Sequence, residues 1–221
     1  MEYDAGQNDP VLLELEELTR QTFLLWKERR VGFSWRHYYH EHTLRVRANA
    51  LSIGTEEGAD PKAVAYASTL HDITKRYDGP IKVDSSGRRI TDENGFWINE
   101  PILPAGENEV TRLYDEMQLY STVHHESGAR IAERLLEARG FPKSFREQVA
   151  HIIRGHLRPP NPPWSAGGPD DPYRDPESQA LYDADTIDAN LGAVAFYRNV
   201  QIHGGRAIKE QGGIDLYAYA D

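Results

Sequence analysis

Apolar residues recur along most of the chain at three- and four-residue intervals, the period of a helix that buries one face. In "PVLLELEELTRQTFLLWKERR", residues 10–30, Val11, Leu15, Leu18 and Leu25 fall on one side. "HYYHEHTLRVRANALSIG" predicts a second helix that ends at Gly54. "DPKAVAYASTLHDITK" opens with Asp60 at a cap position and Pro61 in the first turn, where its missing N–H has no bond to make. "HHESGARIAERLLEARGF" predicts a helix stopped at Gly140, and "PKSFREQVAHIIRGHL" one closed by the four prolines of "RPPNPPW". A last helix starts at Asp175 and Pro176 in "DPESQALYDADTIDANLGAVAFYRN". No repeat and no domain-scale linker interrupts the series, so residues 1–221 are expected to form one domain.

Two stretches break the period. Residues 76–123 carry "IKVDSSGRRI" and "TDENGFWI", turn clusters between strand-type residues, and a small β-hairpin is expected there. This insertion reads as a substrate lid, with Phe96 and Trp97 covering a base and Arg88 and Arg89 pairing with phosphates, or as a decoration packed onto the bundle. Residues 159–175 are a Pro/Gly/Asp loop with the same two readings.

Composition then narrows the chemistry. At 221 residues the chain can bury a sizeable core. No apolar run approaches ~18 residues, and "MEYDAGQNDP" lacks the features of a signal peptide; a cytoplasmic protein without membrane contact is expected. The net charge of −10 disfavours a nucleic-acid polymer as partner. With no cysteine, disulfides, thiolate sites and cysteine nucleophiles are excluded, so a transition-metal site must use His, Asp and Glu.

The nine histidines matter through their placement. His42 shares a helical face with Val46, Ala50 and Ile53; His71 follows Val64 and Ala67; His156 follows Phe145, Val149 and Ile152; Asp185 comes one turn after Leu181. His151 shares its side with Glu147, Gln148 and Arg154 and is expected at the surface. Each inward histidine taken singly reads as a satisfied core residue. Several of them from separate helices, joined by inward Asp72 and Asp185, read as one shared site, because buried carboxylates are costly unless paired or metal-bound. His124 and His125 both lie on apolar faces, and spacing does not choose between them.

These segments together resemble the HD-domain metal-dependent phosphohydrolase superfamily. "HTLRV" is similar to its first histidine segment, "TLHDITK" to its His-Asp doublet, "HHESGA" to an H-x-x-x-G-A segment, "HIIRGH" to a later histidine helix and "LYDADTIDA" to its final aspartate segment. The likeness runs in order over residues 37–198 and implies an all-α HD-domain helical bundle, here with a small β-hairpin insertion. It implies His42, His71, Asp72, His124, His156 and Asp185 as metal ligands, favouring His124 over His125. The two additional histidines and Lys75 resemble the binuclear subgroup, and "HTLRV" and "HDITK" also look like bacterial diadenosine-tetraphosphate hydrolases. The final segment and the long insertion depart from those hydrolases.

The resemblance implies a phosphohydrolase acting on a phosphoester or phosphoanhydride of a nucleotide or similar small molecule. Two divalent ions (Mn, Fe, Co, Ni or Zn), about 3.5–4 Å apart and bridged by Asp72, would activate water for attack on phosphorus. Lys75 would neutralise a phosphoryl oxygen. Arg45 reads as a second phosphate contact or as a surface ion pair. Asp188 reads as a catalytic-site partner that orients a ligand or as a solvated carboxylate. Two other functions fit the same residues: a mixed-valent diiron oxygenase of HD type, and a non-catalytic binding module.

Overall fold

The computed structural model describes residues 9–27, 38–159, 162–165, 167–191, 195, 196 and 200. Seven α-helices account for most of the described secondary structure: α1 (Pro10–Phe23), α2 (Leu44–Glu57), α3 (Pro61–Leu70), α4 (Glu109–Glu116), α5 (His124–Ala138), α6 (Lys143–Gly155) and α7 (Pro176–Asn190). A π-helical turn, Tyr39–Thr43, leads into α2, and a 3-10 turn, Lys75–Tyr77, follows α3. Strands β1 (Asp78–Ile81) and β2 (Asn99–Pro101) pair antiparallel. The fold is all-α with a small β insertion.

α3 is the axis of the molecule. Its residues Ala63 to Leu70 are all buried, which "AVAYASTL" permits because it is apolar or small on every side. Asp60 caps it, accepting from the backbone N–H groups of Lys62 and Ala63, with Pro61 in the first turn. α2 packs on α7 and on α3, while α5 pairs with α6, which also touches α3. Two helix pairs therefore flank the central helix, and the end of α3 emerges between them.

Several boundaries differ from the sequence reading. α2 runs past Gly54 to Glu57, and Gly58, with φ of +75°, is its left-handed cap. Gly54 instead marks a close approach: a Cβ there would stand 3.2 Å from that of Ala59 and 3.6 Å from that of Ala180 on α7. α1 stops at Phe23; its expected continuation through residues 28–30 lies outside the described residues. Its buried face is Leu12, Leu15, Thr19 and Thr22, with Val11 and Leu18 only half-buried beside it. α6 ends at Gly155, ahead of the prolines, with His156 as its C-cap. α7 ends at Asn190 before an extended Leu191, and residues 192–194 and 197–199 lie outside the description.

The insertion is of two kinds. From residue 101 onward it is built into the bundle: the Trp26 indole donates to the Ile102 carbonyl at 2.7 Å, Asn108 and Thr111 form a capping box, and Tyr114 of α4 stacks on Tyr77 at 3.5 Å. Residues 82–98 stand apart and hold a repeat that the sequence reading missed. "DSSG" and "DENG", eight residues apart, form the same turn. Asp84 Oδ1 accepts from Ser86 and Arg88 N–H, and Asp92 Oδ1 accepts from Asn94 and Phe96 N–H. Gly87 (φ +82°) and Gly95 (φ +86°) take the left-handed position in each. Three residues at the same spacing close a ring of backbone hydrogen bonds: Ile90 donates to Lys82, Ile98 to Ile90 and Lys82 to Ile98, all at 2.8–2.9 Å.

Candidate metal centre

His71 and Asp72 occupy the end of α3, where the chain turns sharply into the 3-10 turn. The π-helical turn brings His42 in from one side and α7 brings Asp185. The start of α5 supplies His124 and the end of α6 supplies His156. Five of these six side chains are buried, and Asp185 is 24% exposed. Gly128 explains why a glycine follows His124 by one turn: a Cβ there would lie 3.2 Å from the His71 carbonyl oxygen, so its absence lets α5 close on the doublet.

Asp72 divides the cluster in two. Its Oδ2 lies 3.6 Å from both His42 Nε2 and His71 Nε2, while its Oδ1 lies 3.4 Å from His124 Nε2 and 3.6 Å from His156 Nε2. Asp185 Oδ1 completes the first half at 3.1 Å from His42 Nε2. Two three-residue groups, His42–His71–Asp72 and Asp72–His124–His156, thus have geometry that could each hold a metal ion.

The outer nitrogens decide the inner ones. His71 Nδ1 donates to the Ser68 carbonyl at 2.7 Å and His156 Nδ1 to the Ile153 carbonyl at 2.6 Å. A carbonyl only accepts, so each Nδ1 carries a proton and, in the neutral ring, Nε2 keeps its lone pair facing inward. His124 Nδ1 pairs with Asp78 Oδ2 at 2.5 Å, and His42 Nδ1 with Asp188 Oδ2 at 2.8 Å. Every histidine of the cluster therefore has an acceptor behind it, an arrangement of the kind that orients metal-bound imidazoles. Asp72 Oδ1 and His156 Nε2 are buried without a hydrogen-bond partner, a cost that a bound cation would remove. The donor set, imidazole and carboxylate only, fits divalent transition ions.

The protonation pattern agrees. Burial alone would depress His42, but Asp185, Asp188 and Asp72 together push it up to about 10, a mark of how strongly this pocket favours positive charge. Burial pushes His71 down to about 4 and His125 to about 2. Burial opposes ionisation of Asp72, yet the Lys75 ammonium and His71 hold its carboxyl well below the usual range. Lys75 Nζ lies 2.9 Å from His124 Nε2 and 3.7 Å from Asp72 Oδ1, a positive group resting in the second half.

The other expected site residues fall in different places. Asp188 sits behind His42, and Arg45 clamps it with Nε and Nη2 at 2.6 and 3.0 Å, so both support the His42 ring and neither faces the cluster interior. Arg88 and Arg89 are not brought to the cluster: Arg88 is 83% exposed and pairs with Asp84, and Arg89 lies over the Trp97 ring at 4.2 Å. Of the doublet, His124 meets Asp72, while His125 packs on Phe96 with ring centroids 4.2 Å apart. His151, half-exposed, bonds the α7 cap residue Asp175 at 2.9 Å. Two contributors escaped the sequence reading. Asp78, at the root of the insertion, gave no periodic signal. Tyr38, whose hydroxyl donates to Asp72 Oδ2 at 2.7 Å, stands one turn before His42, and that spacing could have flagged it.

A family model for the HD domain matches residues 39–190, more than half of the chain. The chain belongs to the HD-domain family. Among solved structures it is similar to a predicted HD superfamily hydrolase from an uncultured Thermotogales bacterium, at 25% identity and a TM-score of 0.50. That match covers 87% of this chain and 76% of the other. No match is found among curated proteins. Family and neighbour together mark a metal-dependent hydrolase in general terms, and among the described residues no helix is long and apolar enough to cross a membrane.

Proposed function

We propose that the protein is a binuclear phosphohydrolase that cleaves a phosphoester or phosphoanhydride of a small phosphorylated molecule of the nucleotide class. The observation that carries this reading is Asp72, whose two oxygens face different pairs of histidines. His42, His71 and Asp185 with Asp72 Oδ2 would hold one divalent ion, and His124 and His156 with Asp72 Oδ1 another. Bound there, the ions supply water of lowered pKa and a counter-charge for phosphoryl oxygens.

The protein's own groups do the rest. Asp188 and Asp78 keep the protons of His42 and His124 on Nδ1 and so keep Nε2 free for its ligand role. Lys75 Nζ lies 2.9 Å from His124 Nε2, the nitrogen that would serve as ligand. Its side chain is 31% exposed, so the ammonium can turn outward to a phosphoryl oxygen of the substrate. Tyr38 keeps a donor on Asp72 Oδ2.

The test is metal removal with a chelator, reloading with Mn, Co, Ni, Zn or Fe, metal analysis, and phosphate release from a panel of nucleotides and phosphoesters without oxygen. Phosphate release that returns with about two ions per chain supports the reading. Turnover confined to iron-loaded protein with oxygen consumption would replace it with the oxygenase.

A further inference from the structure

A cavity of about 910 Å³ opens between the 92–96 turn, the entry to α5 and the 159–173 loop. Its wall comes near the second half of the metal cluster, with the His125 and His124 ring centroids 6.3 Å apart. His125 in its wall follows His124, and the Gly95 turn rests against Pro159, three residues beyond His156. The volume lies in the range of small-molecule sites.

Four rings face this space: Phe96, His125, Trp164 and Tyr173. Phe96 and His125 tilt at 40° with centroids 4.2 Å apart, and Trp164 meets Tyr173 edge-on at 6.5 Å across the loop side. His125 is only 7% exposed, and its buried Nδ1 has no hydrogen-bond partner. A buried polar atom left unpaired is unfavourable unless a ligand or water meets the ring.

Charge defines what fits. The two arginines of the wall share a carboxylate: Arg130 Nε and Arg154 Nε each bond Glu126 at 2.6 Å, and Arg154 also reaches Glu133 at 3.5 Å. Asp92 and Glu93 add negative charge, and Asp92 Oδ1 is taken by its own turn. The cavity thus holds both of its arginines in ion pairs with carboxylates. Its rings suit an uncharged planar group with donors and acceptors on its edge.

We propose that this cavity is the subsite for the uncharged heteroaromatic base of a nucleotide substrate, with Phe96 and Trp164 as stacking faces and His125 as a polar contact. The orientation rests on the phosphohydrolase reading, which sends the phosphate end toward Lys75 and the metal ligands.

Saturation-transfer NMR on the metal-loaded protein tests the subsite without turnover, using adenosine, guanosine and cytidine as probes against ribose and tripolyphosphate. The base protons of at least one nucleoside should receive saturation. Phe96→Ala and Trp164→Leu should each weaken that nucleoside about tenfold; Trp164 is on a loop, so its loss leaves the bundle core untouched. Nucleosides that bind no better than ribose, or equally well to both variants, overturn the subsite. Kinetics separate the two ideas. Nucleotide KM unchanged in both variants, with phosphate still released, removes the subsite and keeps the hydrolase. Base contact that the variants weaken, with no phosphate released from any compound, keeps the subsite and removes the hydrolase.

Discussion

The two halves of the cluster share Asp72 but are finished differently. The first has Asp185 as a second carboxylate, and its His42 is held by Asp188, which Arg45 clamps with two hydrogen bonds. Among the described residues the second has only Asp72 on the Nε2 side of its histidines, with Asp78 behind His124, carries Lys75 within hydrogen-bond distance of His124, and lies beside His125 of the aromatic cavity. A half rich in fixed anions suits an ion that stays. A half with fewer facing anions and a lysine ammonium would, under the proposed function, suit an ion that shares its field with a phosphate. The lesson is that ligand counts alone treat as equal two positions that their surroundings make unequal.

The largest expected effect removes the shared member. Asp72→Ala should abolish activity and empty both halves while circular dichroism keeps its helical signal; full occupancy in this variant would end the two-half description. Next, His124→Ala should lose about one of two ions and His125→Ala neither, as read by metal analysis. Loss of metal from His125→Ala with His124→Ala intact would reverse the assignment of the doublet.

Smaller effects come from the groups behind the ligands. Asp188→Asn should weaken the first ion, and Asp78→Asn the second, each by about 10–100-fold, measurable by competition with a chromogenic chelator. If both variants weaken the same ion, the halves are not separately supported. Smallest is Asp175, the cap of α7, which carries Asp185 without touching either half. Burial opposes its ionisation, but His151 and the Ser178 backbone pull it down to about 2. A depressed carboxyl contributes stability above its unfolded value near 4 that is lost as pH falls through about 2. Asp175→Ala should cost about 1 kcal/mol by urea unfolding at neutral pH, with the difference from the native chain shrinking between pH 4 and 2 and with no preference between the ions.

Much of the bundle was legible because its ligands lie on helical faces, and a helical period exposes them one element at a time. His42, Asp72 and His156 come from segments distant in the chain, yet each is buried at the entry or the end of a helix. Gly54 was misread as a stop since a glycine chosen for close packing and one chosen for a left-handed cap look alike in sequence; only Gly58, four residues on, has positive φ. Helical spacing did not choose between His124 and His125, which are both buried; the H-x-x-x-G-A resemblance favoured His124, and it is His124 that meets Asp72. Asp78 was invisible for another reason. It lies 46 positions before its partner in a segment with no period, and side-chain pairs of that kind leave no mark along the chain.

The eight-residue spacing of the Lys82, Ile90 and Ile98 hydrogen-bond ring has a consequence for how this segment can vary. Each unit leaves the ring and returns to it, so the residues at a loop tip can change in identity without shifting where the chain enters and leaves. The unit that carries Asp92 to Phe96 faces the cavity, and the unit that carries Asp84 to Arg88 does not. Selection for a new substrate can thus rewrite one loop as an exchangeable cassette, while Asp78 at its base keeps its grip on His124.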